Sequence, residues 1–271
     1  MNWIAPWITP ACDMGSQAPC FAKAFRTEKP VASAVLRMTA MGVYDAAING
    51  KPVTDTVLNP GWTTYQKRLQ VQTWDVTDHI GAENELTVTV GKGWYRSPLI
   101  RHWGGTIQTE RMKLPAAITA ELTLTYQDGT RDVILTDESW TASEGVVRFS
   151  ELYDGEVVDA TFVPAEKPNA VLYDGPTDTL IPHEGAPICE HERIRAARVF
   201  TTPRERTSST SARRSPASSK LPWTPMPVMW WMFPSPRSWT SRVTSTPRIT
   251  VTPSAGIITP AARAIRSTRP A

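Results

Sequence analysis

Apolar and polar side chains alternate most regularly between Val31 and Tyr95, and this alternation predicts strands. In its first part, one face of a predicted strand carries Ala34, Leu36 and Met38, and the other carries Val35, Arg37 and Thr39. The segment 84–90 repeats the pattern, with apolar residues at every second position. A two-residue period is typical of a strand that buries one face.

Two dipeptides predict tight hairpins. Asn49-Gly50 joins the apolar run at 43–48 to residues 51–53, and Asp128-Gly129 lies between the segments 118–126 and 130–135. Such pairs tolerate the positive φ that a type I′ turn requires. The rest of the chain is typical of short strands and turns, without a capped amphipathic helix of about ten residues or more. We therefore predict an all-β protein, a jelly-roll, galactose-binding-like β-sandwich followed by a largely irregular tail.

Charge divides the chain into two unlike parts. Residues 1–200 contain 18 Lys and Arg against 25 Asp and Glu, whereas residues 201–271 contain 11 against 1. The second part also holds 11 of the 24 prolines and a single glycine. A sequence of this kind does not bury apolar surface in a regular pattern, so we predict that it folds poorly.

Several protein classes are excluded by the composition. No run of about 18 apolar residues is present, so we expect no membrane span. The first residues lack a basic segment followed by an apolar run, which predicts no secretory signal and a cytoplasmic location. Cys12, Cys20 and Cys189 are an odd number at spacings that match no zinc ribbon, and we interpret them as free thiols.

Motifs rich in aromatic residues and glycine follow one another between residues 42 and 95, and their order resembles the N-terminal domain of bacterial α-L-rhamnosidases. The motifs are Gly42-Val43-Tyr44, Ile48-Asn49-Gly50-Lys51, Leu58-Asn59-Pro60-Gly61-Trp62-Thr63-Thr64-Tyr65-Gln66-Lys67-Arg68, Asp75-Val76-Thr77 with Asn84, and Gly91-Lys92-Gly93-Trp94-Tyr95. The resemblance continues through Trp140 and the turn Tyr153-Asp154-Gly155-Glu156, and extends from about residue 3 to about residue 203.

The resemblance and the change in composition together predict four segments. They are a lead-in at 1–30 with a short edge strand, the rhamnosidase-like β-sandwich domain at 31–165, a linker and start of the next β domain at 166–203, and a low-complexity, out-of-frame, disordered tail at 204–271.

The tail begins where the family continues with an apolar strand and the motif Asp-Phe-Gly-Gln. When a Ser codon TCN is read one base out of register, it supplies the triplet xTC, which encodes Phe, Leu, Ile or Val. A Thr codon ACN likewise supplies the triplet xAC. With permitted synonymous codons, residues 207–220 read out of register as VIDFGQEVTGFVE. We therefore hypothesise a frameshift between about Thr202 and Thr207.

The resemblance implies a role in an inverting glycoside hydrolase. In the family, the catalytic acid and base lie in a later (α/α)6 barrel, and nothing in this sequence resembles that barrel. We therefore expect a non-catalytic module, inactive alone, that recognises substrate or supports structure. Its expected partner is a rhamnose-containing carbohydrate or the missing catalytic domain, and a purely buttressing role is the structural alternative.

Residues of these motifs are the candidate carbohydrate-binding residues. Sugar rings present C–H faces that stack on aromatic side chains, while amide groups bond their hydroxyls. On this basis the candidates are Asn49, Trp62, Tyr65, Trp94 and Tyr95. The alternative is that the rings fill the core or seal an interface to a neighbouring domain. No metal or other cofactor is predicted, and calcium is an alternative without a visible calcium-loop spacing.

Two further polar groups are interpreted as structural. Three carboxylates surround the glycine of one turn, where solvation or hydrogen bonds that anchor the loop are favoured over a catalytic pair: Asp154, Glu156 and Asp159. A second group lacks the spacing of a zinc site, and we interpret its members as surface residues: His183, Cys189 and His191.

The basic tail supports one competing function, an interaction protein whose tail binds an anionic partner. Arg213 and Arg214 lie in the same tail as four tryptophans, a combination found in proteins that bind single-stranded nucleic acid. The arginines are dispersed and no nucleic-acid-binding fold frames them. Neither nucleic acid nor membrane is therefore favoured as a partner.

Overall fold

The computed structural model describes residues 2–97, 112–152, 154–190, 196–201 and 207–211, the last two ranges as backbone alone. Its strands are β1 Trp7–Thr9, β2 Pro19–Arg26, β3 Val31–Ala40, β4 Val43–Ile48, β5 Lys51–Pro52, β6 Leu69–Asp75, β7 Glu83–Gly91, β8 Ile118–Tyr126, β9 Arg131–Leu135, β10 Thr141–Glu144, β11 Val147–Glu151, β12 Gly155–Val158, β13 Val171–Tyr173, β14 Leu180–Pro182, β15 Ala196–Thr201 and β16 Thr207–Ser211. A short helix, α1, spans Gly93–Arg96, and a single 3-10 turn spans Thr77–His79.

Two sheets form the sandwich, which confirms the predicted fold class. The larger has seven strands in the order β13-β1-β8-β3-β6-β14, with β9 paired to β8, and the smaller has the order β10-β2-β7-β4-β5. All pairs in these two sheets are antiparallel except β14 with β6. Hairpin β11–β12 and hairpin β15–β16 are separate two-stranded units.

The main core lies between the sheets and follows the predicted alternation. Leu36 and Met38 of β3 are completely buried and pack in one cluster with Leu86 and Val88 of β7. Because the chain alternates sides at every residue of a strand, Arg37 of β3 and Thr87 of β7, which lie between these pairs, point away from this core. The two-residue period in the sequence therefore identified the buried faces correctly.

A second, smaller core covers the outer face of the seven-stranded sheet. Ile8 belongs to the main core, whereas its neighbour Trp7 belongs to the second cluster, and neighbours in a strand point to opposite faces. Trp94, Tyr95 and Tyr65 pack in this second cluster. Much of the aromatic content of the motifs is therefore used to cover a sheet.

Both predicted hairpins form. Asn49 and Gly50 have φ values of 54° and 74° between β4 and β5, as a type I′ turn requires. Gly129 has a φ of 80° in the turn between β8 and β9. The three cysteines are free thiols, as predicted.

Strands from outside the range 31–165 complete both sheets. From the predicted lead-in, β1 lies between β13 and β8, and β2 lies between β10 and β7. The short edge strand predicted in this segment is instead the inner strand β2, because Phe21 is fully buried in the main core and both edges of the strand are paired. From the predicted linker, β13 and β14 form the two ends of the larger sheet.

Within the segment predicted as an irregular tail, β16 is a strand paired with β15. Residues 212–271, which hold most of the predicted tail, lie outside the described residues. In the part of the chain that the structure describes, no helix has the length and apolarity needed to cross a bilayer.

Candidate functional site

Trp62 is the most exposed of the four candidate aromatic residues. Its side chain is 65% exposed, although large aromatic residues are usually well buried. The indole lies flat on that of Trp94, with ring centroids 6.4 Å apart and planes inclined by 11°, an offset stacked arrangement. Trp94 is only 9% exposed, so the buried ring of this pair is that of Trp94 and the ring that faces solvent is that of Trp62.

Glycine at position 93 allows the tight turn that positions Trp94. Gly93 has a φ of 53°, and a Cβ atom there would lie 2.6 Å from the backbone nitrogen of Val43. Only glycine fits this combination of a left-handed backbone and close approach. The turn from β7 into α1 therefore depends on the Gly-Lys-Gly-Trp-Tyr motif seen in the sequence.

The two candidate tyrosines form a buried pair beside the tryptophans. The rings of Tyr65 and Tyr95 lie 5.0 Å apart at an angle of 59°, and both side chains are buried. The Tyr65 hydroxyl donates a hydrogen bond to the carbonyl of Gly61, the residue before Trp62. For these tyrosines and for Trp94, the structure matches the alternative that the rings fill a core.

A shallow groove of about 400 Å³ opens beside Trp62. It is lined by Trp62, Thr63, Thr64, Arg68, Gln70 and Glu184. The sequence motif points to Trp62 but not to the polar lining. Thr63, Thr64 and Arg68 lie in the same motif as Trp62, but Glu184 comes from a distant part of the chain and no sequence pattern points to it.

Hydrogen bonds join the polar residues across the groove. Arg68 Nη1 lies 3.3 Å from Glu184 Oε2, and the backbone N–H of Glu184 donates to Gln70 Oε1 at 2.8 Å. Both members of the ion pair are more than half exposed, so their mutual attraction is weak. Their donors and acceptors are therefore available to a ligand at little cost.

Asn49 lies away from this group. It follows the last residue of β4, whereas Gly93 contacts Val43 at the first residue of that strand; six residues of strand separate the two points by about 20 Å. The Asn49 side-chain amide donates to the carbonyl of His79 and to Asn84 Oδ1, and its oxygen accepts from the backbone of Glu85. These contacts describe an anchor for the hairpin.

The carboxylates near Gly155 differ from one another. Asp159 accepts from the backbone and hydroxyl of Thr161 at 3.0 and 2.7 Å, which lowers its pKa and anchors the turn as predicted. Glu156 is instead half-buried, and its Oε2 atom has no hydrogen-bond partner. The sequence did not reveal this burial, because it depends on a contact with a distant strand.

The structure describes part of the His and Cys group that the sequence analysis interprets as surface residues. His183 is exposed, with Nδ1 lying 3.4 Å from Gln72 Nε2, and Cys189 is half-buried. His191 lies outside the described residues. Among the described residues, no three His, Cys, Asp or Glu side chains are grouped closely enough to hold a metal ion.

Comparison with known proteins agrees with the fold and the motifs. The α-L-rhamnosidase N-terminal domain matches residues 29–191. An α-L-rhamnosidase of Formosa agariphila is 38% identical over 174 residues, which cover 59% of this chain and 18% of that enzyme. The chain thus spans less than a fifth of the length of this curated relative.

Solved structures show the same arrangement of strands. The crystal structure of the native α-L-rhamnosidase from Aspergillus terreus superposes with a TM-score of 0.67 at 30% identity, over 75% of this chain and 25% of that one. The Streptomyces avermitilis α-L-rhamnosidase complexed with L-rhamnose gives a TM-score of 0.52 at 30% identity, over 69% and 18%. Motifs, fold and comparisons agree, and the chain belongs to the α-L-rhamnosidase N-terminal domain family.

Proposed function

We propose that this chain is a carbohydrate-recognition module of an α-L-rhamnosidase and that it holds rhamnose-containing glycans against the exposed face of Trp62. The observation that carries the proposal is the exposed indole of Trp62, held flat on Trp94 beside a polar groove. The proposal rests on this geometry together with the family to which the chain belongs.

Stacking supplies the apolar part of recognition. A sugar ring has a C–H face that packs on an aromatic ring, and rhamnose, a 6-deoxy sugar, adds a methyl group where other hexoses carry a hydroxymethyl. Trp62 is supported by Trp94, so little side-chain freedom is lost when a sugar binds. A supported ring is therefore a better platform than a mobile one.

The groove supplies the polar part. Arg68 offers donors, Glu184 offers acceptors and Gln70 offers both. These are the groups that pair with the hydroxyls of a neutral sugar. Asn49 is also a predicted carbohydrate-binding residue. Its hydrogen bonds and its distance from the groove favour a structural role in the β4–β5 hairpin.

In the proposed function, hydrolysis takes place in another domain of the longer rhamnosidase. The relatives named above are several times longer than the matched segment, and an inverting mechanism needs an acid and a base on opposite faces of the sugar. The described groove contains one carboxylate, that of Glu184. We propose that the module presents or orients substrate for a catalytic domain.

Calorimetric titration of the 271-residue chain with methyl α-L-rhamnoside and with a rhamnosyl disaccharide tests the proposal. We expect saturable binding at millimolar sugar, a loss of about tenfold or more in Trp62→Ala, which corresponds to about 1.4 kcal/mol, and partial retention in Trp62→Phe. Leu172→Ala removes another exposed apolar side chain, on β13, and serves as the matched control with unchanged affinity.

Two outcomes would contradict this function. Equal affinity in Trp62→Ala and the wild type would place sugar binding elsewhere. Absence of binding, combined with Trp62-dependent association with a separately produced rhamnosidase catalytic domain, would instead show that Trp62 seals an interface between domains.

A further inference from the structure

Hairpin β11–β12 packs against the outer face of the five-stranded sheet. Val90 points into the main core, so its neighbour Gly91 points outward, and a Cβ atom on Gly91 would lie 2.6 Å from Ser150 Oγ. The backbone N–H of Lys92 donates to the Ser150 carbonyl at 3.3 Å. Glycine at position 91 therefore lets the hairpin approach the sheet closely.

Two more contacts close the hairpin onto the rest of the domain. The Ser97 hydroxyl, just after α1, donates to the carboxylate of Glu151 at the end of β11. At the start of β11, the N–H of Ala18, just before β2, donates to the carbonyl of Val147 at 3.3 Å. The hairpin thus straps the end of β7 and the start of α1, where Trp94 lies.

Glu156 occupies an unfavourable position within this strap. It pairs with Ser150 across the hairpin, its side chain is half-buried, and its Oε2 atom is shielded from water without a hydrogen-bond partner. An ionised carboxylate in such a place loses hydration without compensation, whereas a protonated carboxyl loses less.

The charge that faces Glu156 from the sheet is also negative. Tyr44 and Ala46 of β4 point into the main core, so Asp45 between them points to the outer side of the sheet, where its side chain is exposed. Burial, and secondly the negative charge of Asp45, raise the pKa of Glu156 to about 7. Two carboxylates near each other repel when both are ionised.

Two of the described cations near the hairpin are engaged elsewhere, while Arg96 of α1 is buried with its Nε and Nη2 atoms lacking a hydrogen-bond partner. On β11, the Arg148 guanidinium lies 3.8 Å from the Phe162 ring centroid and pairs with Glu144. At the end of β7, the Lys92 ammonium lies over the Phe149 ring at 5.6 Å. Acidic groups of the hairpin itself are Glu151, which accepts from Ser97 and from the backbone of Asp154, and Asp154.

We propose that hairpin β11–β12 is a proton-dependent strap: it closes over the five-stranded sheet while the Glu156–Asp45 pair holds a proton, and it loosens when both carboxylates are ionised. This behaviour of the hairpin does not depend on sugar binding. The direction of the pH dependence follows from the raised pKa of Glu156. A carboxyl group with a raised pKa stabilises the closed hairpin fully below its ordinary pKa of 4.5, and this stabilisation is lost as the pH rises to about 7.

Hydrogen exchange of the 271-residue chain, read by mass spectrometry between pH 4.5 and 8, tests the strap. After correction for the intrinsic pH dependence of exchange, we expect protection of residues 147–158 to fall by up to about tenfold per pH unit towards pH 7, and then to level off. Protection of β3 and β8 in the main core is the internal reference and stays constant.

Variants distinguish ionisation of Glu156 and Asp45 from other causes of the pH dependence. Glu156→Gln should remove the pH dependence, and Asp45→Asn should weaken it and end it at a lower pH. Glu144→Gln, which changes a carboxylate of the adjacent strand that has a cationic partner, should retain the wild-type profile. An identical fall in the wild type and Glu156→Gln, or constant protection in the wild type, would overturn the proposal.

A direct titration covers the case in which Glu156→Gln opens the hairpin at every pH. The carboxyl carbon of Glu156, observed by NMR in 13C-labelled wild-type chain and assigned by its absence in the variant, should titrate near pH 7. Titration in the ordinary range of glutamate would overturn the strap even if the variant unfolds locally.

Discussion

Glu121 on β8 and Arg37 on β3 form an ion pair that fastens the amino-terminal segment to the seven-stranded sheet. The other oxygen of Glu121 accepts from the backbone of Ile4 at 2.7 Å and of Ala5 at 3.2 Å. The guanidinium of Arg37 also lies 5.2 Å from the ring centroid of Trp3. Glu121 is only 4% exposed, so its charge depends on these partners.

Removal of this carboxylate should destabilise the domain. We expect Glu121→Ala to lower the free energy of unfolding by about 3 kcal/mol, because it leaves Arg37 and two backbone N–H groups without their acceptor. Glu83→Ala removes an exposed carboxylate that pairs with Arg26 and should cost about 0–1 kcal/mol. Urea denaturation measures both, and equal losses would show that Glu121 is not an anchor.

The two stacked tryptophans should differ in their effect on stability. Trp62→Ala removes a ring that is mostly exposed and should change the free energy of unfolding by less than about 0.5 kcal/mol. Trp94→Ala empties a buried position in the second core and should cost about 3 kcal/mol or more. Thermal and urea denaturation give the comparison; a large loss in Trp62→Ala would mean that this ring belongs to the core.

The backbone at Gly93 should tolerate no side chain. Gly93→Ala combines a φ of 53° with a Cβ that collides with the backbone of Val43, whereas Gly50→Ala has a φ of 74° and nothing within 4 Å. We expect the Gly50 variant to lose about 1 kcal/mol and the Gly93 variant clearly more, with loss of the Trp62–Trp94 stacking signal in near-ultraviolet circular dichroism. Similar losses in both variants would indicate that the collision is relieved cheaply.

Acid should weaken the contact between the β2–β3 and β8–β9 turns. Lys29 Nζ donates to Asp128 Oδ2 at 2.8 Å, and the other oxygen of Asp128 accepts from Thr130. The hydrogen bond from Lys29, and secondly those from Thr130, hold the pKa of Asp128 well below its usual range. A carboxylate of this kind stabilises the fold above its ordinary pKa and loses that effect as the pH falls.

Lys29→Met should therefore move the pKa of Asp128 back towards its usual range, as read from the carboxyl 13C shift. Lys51→Met, at the exposed β4–β5 hairpin, is the control and should leave it unchanged. A shift of equal size in both variants would show that Lys29 makes no specific contribution.

The proposed change of reading frame gives a further prediction. DNA sequencing between the codons of Thr202 and Thr207 should reveal an alternative frame that encodes an apolar strand followed by Asp-Phe-Gly-Gln. If neither alternative frame encodes this motif, the frameshift hypothesis is wrong.

Local sequence determined the strands and turns of this domain. The alternation around Leu36 and Leu86 identified the faces that are buried, since a strand places successive side chains on opposite sides. Asn49-Gly50 and Asp128-Gly129 identified two hairpins, because the backbone of such pairs reaches positive φ. The ordered motifs identified the family.

Only the tertiary structure decided which residues meet. Glu184 reaches the groove of Trp62 because β14 pairs in parallel with β6. Glu156 lies within reach of the charge of Asp45 because a hairpin folds over the outer face of the smaller sheet. The aromatic motif likewise did not reveal that Trp94 is buried and Trp62 exposed. A strand pattern specifies which face of one element is buried, whereas partners across sheets depend on register and topology, which no short stretch of sequence contains.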